Sequence, residues 1–298
     1  MITNIKNRIR NVKYLNTILY FLHKLYVINI VYKIRAYRNF SNLKEYYSNN
    51  SNEKIIEAIQ ELKKNKKLMI PFRYIKKYDK LAFDVIDSEY PSLKINNNIV
   101  YFPTNTNRRD ILGAVKTHFI EQDVESPHKY FIDKTEIQGH TAILVGASDG
   151  LLALDIIDSF KHIFLIESDN NWIEPLRKTF APYKEKITII NTYASDLTTD
   201  KEKKLDDLFA NYEYSIDFLQ ADVEGAAIKL LKGTEIILNR YRPKLAIACY
   251  HSHDEAMEIE DLIKILNYKI SYSQKFVYLW MQDLKPPYLR KGVLYAAN

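Results

Sequence analysis

A single cysteine, Cys249, stands among 298 residues. One thiol excludes an internal disulfide framework and any cysteine-ligated metal cluster. It lies in the apolar run 245–250, so it reads as a buried small hydrophobe in a reducing compartment and not as a nucleophile. No internal repeat or low-complexity tract is evident, which excludes a repeat architecture. The chain also lacks a convincing membrane span. Its one long apolar stretch, 14–32, is interrupted by His23 and Lys24, with Asn16 and Asn29 beside them. A central lysine alone costs about 2.5–3.5 kcal/mol on insertion. Basic residues flank the stretch on both sides (Lys6, Arg8, Arg10, Lys13; Lys33, Arg35, Arg38), so no orientation is encoded. No small-residue cleavage site follows it, which argues against a signal peptide. Lys13, Thr17, Tyr20 and Lys24 recur at helical spacing, a narrow polar stripe on a wide apolar helix. Such a helix packs against protein or lies on a bilayer surface.

What is present is the composition of a soluble globular protein, 47% apolar and 27% charged, large enough for one big or two ordinary domains. Charge is unevenly placed. Residues 1–80 carry 18 Lys+Arg against 5 Asp+Glu, and residues 81–298 carry 25 against 32, giving the net +6 of the whole. Such an asymmetry suits a basic N-terminus that meets an anionic partner, or a solvated helical face. Packing against protein is favoured over peripheral membrane contact through residues 1–38, which is the alternative. Nucleic acid is not expected, because no recognition motif accompanies the basic run.

Three regions follow. Residues 1–80 read as a basic helical region, with a helix over 53–67 capped by Ser51 or Asn52, striped by Ile55, Ile56, Ile59 and Leu62, and stopped at Pro71. Residues 81–135 read as short strands at 81–86, 93–95 and 99–102, the last two joined by the hairpin signal Asn96-Asn97-Asn98. A helix over 108–122 and a polar connector, 123–128, complete that region. From 136 the rhythm is doubly wound: strands near 141–145, 162–167, 187–191, 216–221 and 244–249, with helices near 150–160, 171–181, 202–212, 226–240 and 255–266. The strands are apolar almost throughout, the mark of a parallel sheet covered on both faces. The tail segments 269–273, 277–281 and 292–297 are short and alternating, and read as antiparallel pairs closing one sheet edge.

Ligands of open α/β sheets bind at the carboxyl ends of the strands, and polar residues collect at each of those ends here. The first strand runs into Gly146-Ala147-Ser148-Asp149-Gly150 and the second ends on Glu167, followed by Ser168. Glycines let a backbone approach a ligand, and an acid at the next strand tip accepts both hydroxyls of a ribose. The spacing is Gly-x-x-x-Gly and lacks the second glycine of a pyrophosphate turn, so it suits a nucleoside cofactor without phosphates, such as S-adenosylmethionine (SAM). Ser195 and Asp196 are candidates for the adenine edge, and Trp172 for its wall or for the core. Asp222-Val-Glu224-Gly225 closes a buried strand with two carboxylates that can orient or deprotonate a hydroxyl, hold a metal, or cap a helix. His251 is a candidate base or hydrogen-bond partner. With His253 and Asp254 it forms a weak metal pattern, and Asp254 also reads as a simple cap for the helix that follows. No metal ligand is assigned, and a divalent metal is not excluded.

Taken together, these blocks resemble the FkbM-type family of SAM-dependent methyltransferases, many of which O-methylate sugars. The resemblance covers roughly residues 100–298. It rests on Glu121-Gln122-Asp123 with Ser126-Pro127-His128, Gly146…Gly150, Glu167 with Trp172, Thr179-Phe180-Ala181-Pro182-Tyr183, Asp222 to Ala226 with Leu231-Lys232-Gly233, Arg242-Pro243, and Tyr250-His251. It implies a class I methyltransferase fold, Rossmann-like, with a seven-stranded mostly parallel sheet and an antiparallel last strand. It also implies that the segment from Glu121 to His128 covers the cofactor. Three positions depart from the family pattern: Leu144 stands in place of an acid, Gln220 of a lysine and Ala227 of a glutamate.

The expected function is SAM-dependent methyl transfer to a hydroxyl, of a sugar in a surface glycan or its lipid-linked precursor or of another small hydroxylated molecule. The expected location is cytoplasmic or peripheral on the inner face of the membrane. Asp222 and His251, with Glu224 in reserve, are the candidates for orienting the acceptor and removing its proton. Gly146, Ala147, Ser148, Gly150, Glu167, Ser168, Trp172, Ser195, Asp196 and Glu121 are the candidates for the cofactor. The rivals are a methyltransferase fold retained for binding, which the three departures would explain, and an NAD-dependent oxidoreductase, which the glycine spacing disfavours. A homo-oligomer is left open.

Overall fold

The computed structural model describes residues 31–65, 74–279 and 284–298. The chain divides into two compact units, residues 1–71 with 278–289, and residues 72–277 with 290–298. In the first, helix α1 (Tyr32–Tyr46) buries Ala36, Asn39 and Leu43, and helix α2 (Glu53–Asn65) buries Ala58, Glu61 and Leu62. Asn52 caps α2 by accepting the Lys54 N–H at 3.0 Å. Ile56, expected on the buried stripe, is turned outward, and Ala58 takes its place. The apolar stretch 14–32 lies, but for its last two residues, outside the described residues, as does Pro71. Among the described residues no helix is long and apolar enough to cross a membrane.

The second unit holds a seven-stranded sheet. Strands β4 (Gly139–Val145), β5 (Phe160–Glu167), β6 (Ile187–Asn191), β9 (Phe218–Ala221) and β10 (Lys244–Ala248) are parallel, and β12 (Val293–Ala297) runs antiparallel between β10 and the edge strand β11 (Lys269–Tyr272). This is the expected mostly parallel sheet with its antiparallel last strand. Strand alternation sends successive side chains of β4 to opposite cores. Ile143 and Val145 join Leu219, Leu245 and Ile259 on one face; Ala142 and Leu144 join Leu165, Leu176 and Phe180 on the other.

Three elements differ from expectation. Of the tail segment expected over 277–281, the described residues 277–279 add no strand to the sheet: Val277 makes one isolated bridge, to Arg290. The helix expected over 202–212 shrinks to Leu205–Leu208, after two short paired strands, β7 (Tyr193–Ala194) and β8 (Glu202–Lys203). Asp206 is drawn out of local capping, because its carboxylate accepts the N–H groups of Ile236 and Ile237 at 3.0 and 2.9 Å. The helix expected over 226–240 breaks at Gly233-Thr234 into Ala227–Lys232 and Glu235–Tyr241. Gly233 lies against the backbone carbonyl of Ser195, where a Cβ would collide.

A small antiparallel sheet stands beside this body: β1 (Val85–Ile86), β2 (Ser92–Ile95) and β3 (Asn98–Tyr101). Asn96 turns the β2–β3 hairpin with a positive φ of 52°, which asparagine tolerates better than most residues. Leu93, Val100 and Phe102 pack with Ile111 and Val115 of helix α3 (Arg108–Glu121) and with Leu151 behind the glycine turn. That shared core holds the C-terminal half of α3 against the carboxyl rim of the main sheet.

Candidate active site

The rim begins where β4 ends. Gly146 turns the chain at φ 82°, and a Cβ there would collide with the carbonyl oxygen of Asp222 at the end of β9. Glycine alone permits that crossing. Two residues on, Ser148 is left-handed, at φ 47°, and its N–H meets Glu167 Oε2 at 2.8 Å. The other carboxylate oxygen of Glu167 accepts the Asp169 N–H, also at 2.8 Å. Glu167 is thus fixed by two backbone donors, buried, and still part of a cavity wall.

That cavity has a volume of about 380 Å³. Gly146, Ser148, Glu167, Ser168 and Trp172 form one side of it, and Thr192, Tyr193, Asp222 and Glu224 the other. The Trp172 indole is braced edge-on by Phe102, with ring centroids 6.0 Å apart. Ser195 and Asp196 are not on the wall: Ser195 is buried under Gly233, and Thr192 to Ala194 face the space instead. Gly150 sits behind the turn, left-handed at φ 75° and pressed by the Phe180 ring.

A second cavity of about 350 Å³ shares Gly146, Ser148, Asp222 and Glu224 with the first. It continues with Ala147 under α3, where His118, Glu121 and Gln122 close over it, and includes Tyr130 and Gln220. Glu121 therefore lines the space next to the glycine turn, opposite Asp222.

Asp222 is the hub. Tyr130 donates its hydroxyl to Oδ2 at 2.6 Å, and Tyr250 donates to the same oxygen at 3.2 Å. His251 Nε2 stands 3.2 Å from Oδ1, while its Nδ1 stands 3.4 Å from Glu255 Oε2. Neither histidine contact has hydrogen-bond alignment, since Asp222 Oδ1 and His251 Nδ1 have no hydrogen-bond partner. They act as charge contacts. The His251 backbone N–H also reaches Glu255, at 2.8 Å. Arg290, buried, donates to the carbonyls of Tyr250 and His251 at 2.7 and 3.0 Å and to His253 Nδ1 at 3.3 Å. His253 is therefore engaged with Arg290. Among the described residues no group of histidine, cysteine and carboxylate side chains is arranged to hold a metal. Asp254 occupies the N-cap of the helix Glu255–Ile265, but its side chain caps no N–H.

The electrostatics follow from these contacts. Burial would raise the Asp222 carboxyl, but the His251 and Tyr130 contacts outweigh it and hold the pKa below the usual carboxylate range. Burial would lower His251, yet Asp222 and Glu255 together lift it to about 10, so the ring carries its proton at neutral pH. His251 is a cation here. Glu121 moves the other way: burial, and then the Asp222 charge, push it up to about 7. His128, buried edge-on to Tyr250, falls to about 4 and is neutral.

The three departures from the family pattern are accommodated. Leu144 is buried in the core opposite Gln220 in the strand register, and Ala227 is buried in the other core cluster. Gln220 itself lines the second cavity.

Residues 97–270 match the model of the methyltransferase FkbM domain, more than half of the chain. The chain belongs to the FkbM methyltransferase family. That family implies SAM as methyl donor. No curated protein matches the chain. Among solved structures, an FkbM methyltransferase from Methylobacillus flagellatus KT is 17% identical with a TM-score of 0.42, covering 63% of this chain and 60% of that one. This FkbM chain thus spans 60% of that protein's length. The METTL16 methyltransferase domain is 11% identical (84% of this chain, 94% of that one, TM-score 0.42). A human methyltransferase 10 domain containing protein is 13% identical (62% and 80%, TM-score 0.38).

Tyr130 and Glu255 had no place among the expected site residues. Glu255 had a local signal, because it follows His251 by only four positions and opens the helix after that strand end. Tyr130 is 92 residues from Asp222, and nothing local announces that pairing.

Proposed function

We propose that this protein is a SAM-dependent O-methyltransferase whose acceptor is a hydroxyl of a sugar, in a surface glycan or its lipid-linked precursor. The observation that carries the reading is the pair of cavities sharing the Asp222 edge. One is suited to a nucleoside, the other is a polar chamber for a hydroxylated acceptor.

The first cavity fits the donor by its chemistry. Each Glu167 oxygen spends one acceptor site on a backbone N–H and keeps another for a ribose hydroxyl. Trp172 offers a flat apolar wall, and the turn has no second glycine to seat a pyrophosphate. Ser148, Glu167, Ser168 and Trp172 would hold SAM, which supplies an electrophilic methyl group on a sulfonium. The residues of the second cavity then do two things. Asp222, kept anionic by Tyr130, Tyr250 and the His251 cation, accepts from a neighbouring hydroxyl of the sugar and so orients the reacting one. Glu121, poised near neutral pH, takes the hydroxyl proton, since a base works best when its pKa lies near the operating pH. Positioning supplies most of the rate in a direct displacement.

Isothermal titration with S-adenosylhomocysteine tests the donor site, and binding in the micromolar range is expected. Methyl transfer to glycans extracted from the producing cell tests the acceptor. Absence of binding at millimolar ligand rejects the reading. Binding without transfer to any hydroxylated acceptor favours a fold retained for recognition.

A further inference from the structure

The first acid of the chain is Glu45; the 44 residues before it contain nine Lys+Arg and no Asp or Glu. The described end of that run is α1, whose two faces differ. Ala36, Asn39 and Leu43 are buried, one turn apart. The opposite face presents Ile34 and Tyr37, 64% and 78% exposed, with Val31 at its start. Lys33 and Lys44 are exposed along one flank of that face, with Glu45 exposed beyond it, and Lys44 lies over the Phe40 ring at 5.2 Å. An apolar pair left in water beside cations, on a helix that buries only its opposite face, asks for a partner that is both greasy and negative.

We propose that this face of α1 docks on an anionic lipid bilayer, with Ile34 and Tyr37 entering the headgroup region and Lys33 and Lys44 pairing with lipid phosphates and carboxylates. Charge complementarity selects the occupant. Residues 81–298 carry 25 Lys+Arg against 32 Asp+Glu, so attraction to a negative surface is confined to the N-terminal part and orients the chain upon it. Nucleic acid would answer the charge and leave Ile34 and Tyr37 without a purpose. The inference does not depend on the cavities turning over.

The test is sedimentation of the full chain with vesicles of phosphatidylcholine alone, and of phosphatidylcholine with phosphatidylserine. Binding to the anionic vesicles only, weakened by added salt, is expected. K33E/K44E should lower the partition coefficient by roughly tenfold or more, and steepness in salt should fall with it. I34S/Y37S should also lower it by about tenfold, with the salt dependence kept. Because all four side chains are exposed, the unfolding temperature should stay at the wild-type value in both variants. Equal partition onto the two vesicle types, or none onto either, overturns the proposal. So does displacement from anionic vesicles by duplex DNA combined with wild-type binding of I34S/Y37S, which would identify nucleic acid as the partner.

Discussion

Tyr130 places its hydroxyl 2.6 Å from Asp222 Oδ2, across 92 residues of sequence. The phenol is buried and its pKa is driven far up, first by burial and then by the Asp222 charge. It therefore stays a donor under all working conditions, and Asp222 stays an acceptor. Tyr130→Phe removes the shorter of two hydroxyl donors. A hydrogen bond to a charged group is worth about 1.5–3 kcal/mol, so kcat/KM should fall roughly 10- to 100-fold. The affinity for S-adenosylhomocysteine should hardly move. Steady-state kinetics beside calorimetry would separate the two, and an equal loss in both would assign Tyr130 to the donor site.

His251 supplies a pH signature. Its folded pKa of about 10 lies above the unfolded value near 6.5. The stabilisation is therefore fully present below about pH 6.5 and is lost as pH rises toward 10. Denaturation midpoints should decline across that window in the wild type and stay flatter in His251→Gln. NMR titration of the imidazole should show its pKa falling in Asp222→Asn and in Glu255→Gln, since each removes one flanking carboxylate.

Glu121 acts with the opposite sign. An acid lifted to about 7 binds a proton in the folded chain that the unfolded chain has already released above about pH 4.3. Its contribution lowers stability progressively between those values. Glu121→Gln should remove that decline. It should also abolish the rise in methyl transfer through pH 7 while leaving S-adenosylhomocysteine bound.

Glu167→Ala takes away the acceptor for Ser148 and Asp169 as well as for a ribose. Loss of two charged hydrogen bonds to ligand predicts at least ~100-fold weaker nucleoside binding. Two orphaned N–H groups should cost roughly 2 kcal/mol or more of stability. Calorimetry and denaturant titration measure the two effects, and unchanged affinity would move the ribose elsewhere.

The glycine turn, the strand-end acids and the hairpin were legible because each rests on chemistry within a few residues: glycine at a left-handed turn, a carboxylate at a strand tip, asparagines between apolar runs. The mostly parallel sheet was legible from apolar strands too short for helices, and its antiparallel edge from the alternating tail; the order of the strands was not. What stayed hidden depends on long-range partners. Asp206 looks like an ordinary helical acid until Ile236 and Ile237 claim it. Ser195 looks like a strand-end ligand residue until Gly233 packs onto its carbonyl. His251 looks like a base until Asp222 and Glu255 are seen on both sides of it.

Gly146→Ala should be among the most damaging small substitutions. Its φ of 82° disfavours any side chain, and the new methyl would meet the Asp222 carbonyl. A loss of at least about 3 kcal/mol is expected, read as a drop in unfolding temperature with both ligand activities impaired together.

That crossing of Gly146 over Asp222 leaves no joint between the turn that follows β4 and the loop that follows β9. With donor and acceptor held as proposed, the spacing between them would be built in at folding, not adjusted on arrival of either one. On the proposed placement of donor and acceptor, remodelling either of these two loops would disturb both sites at one stroke.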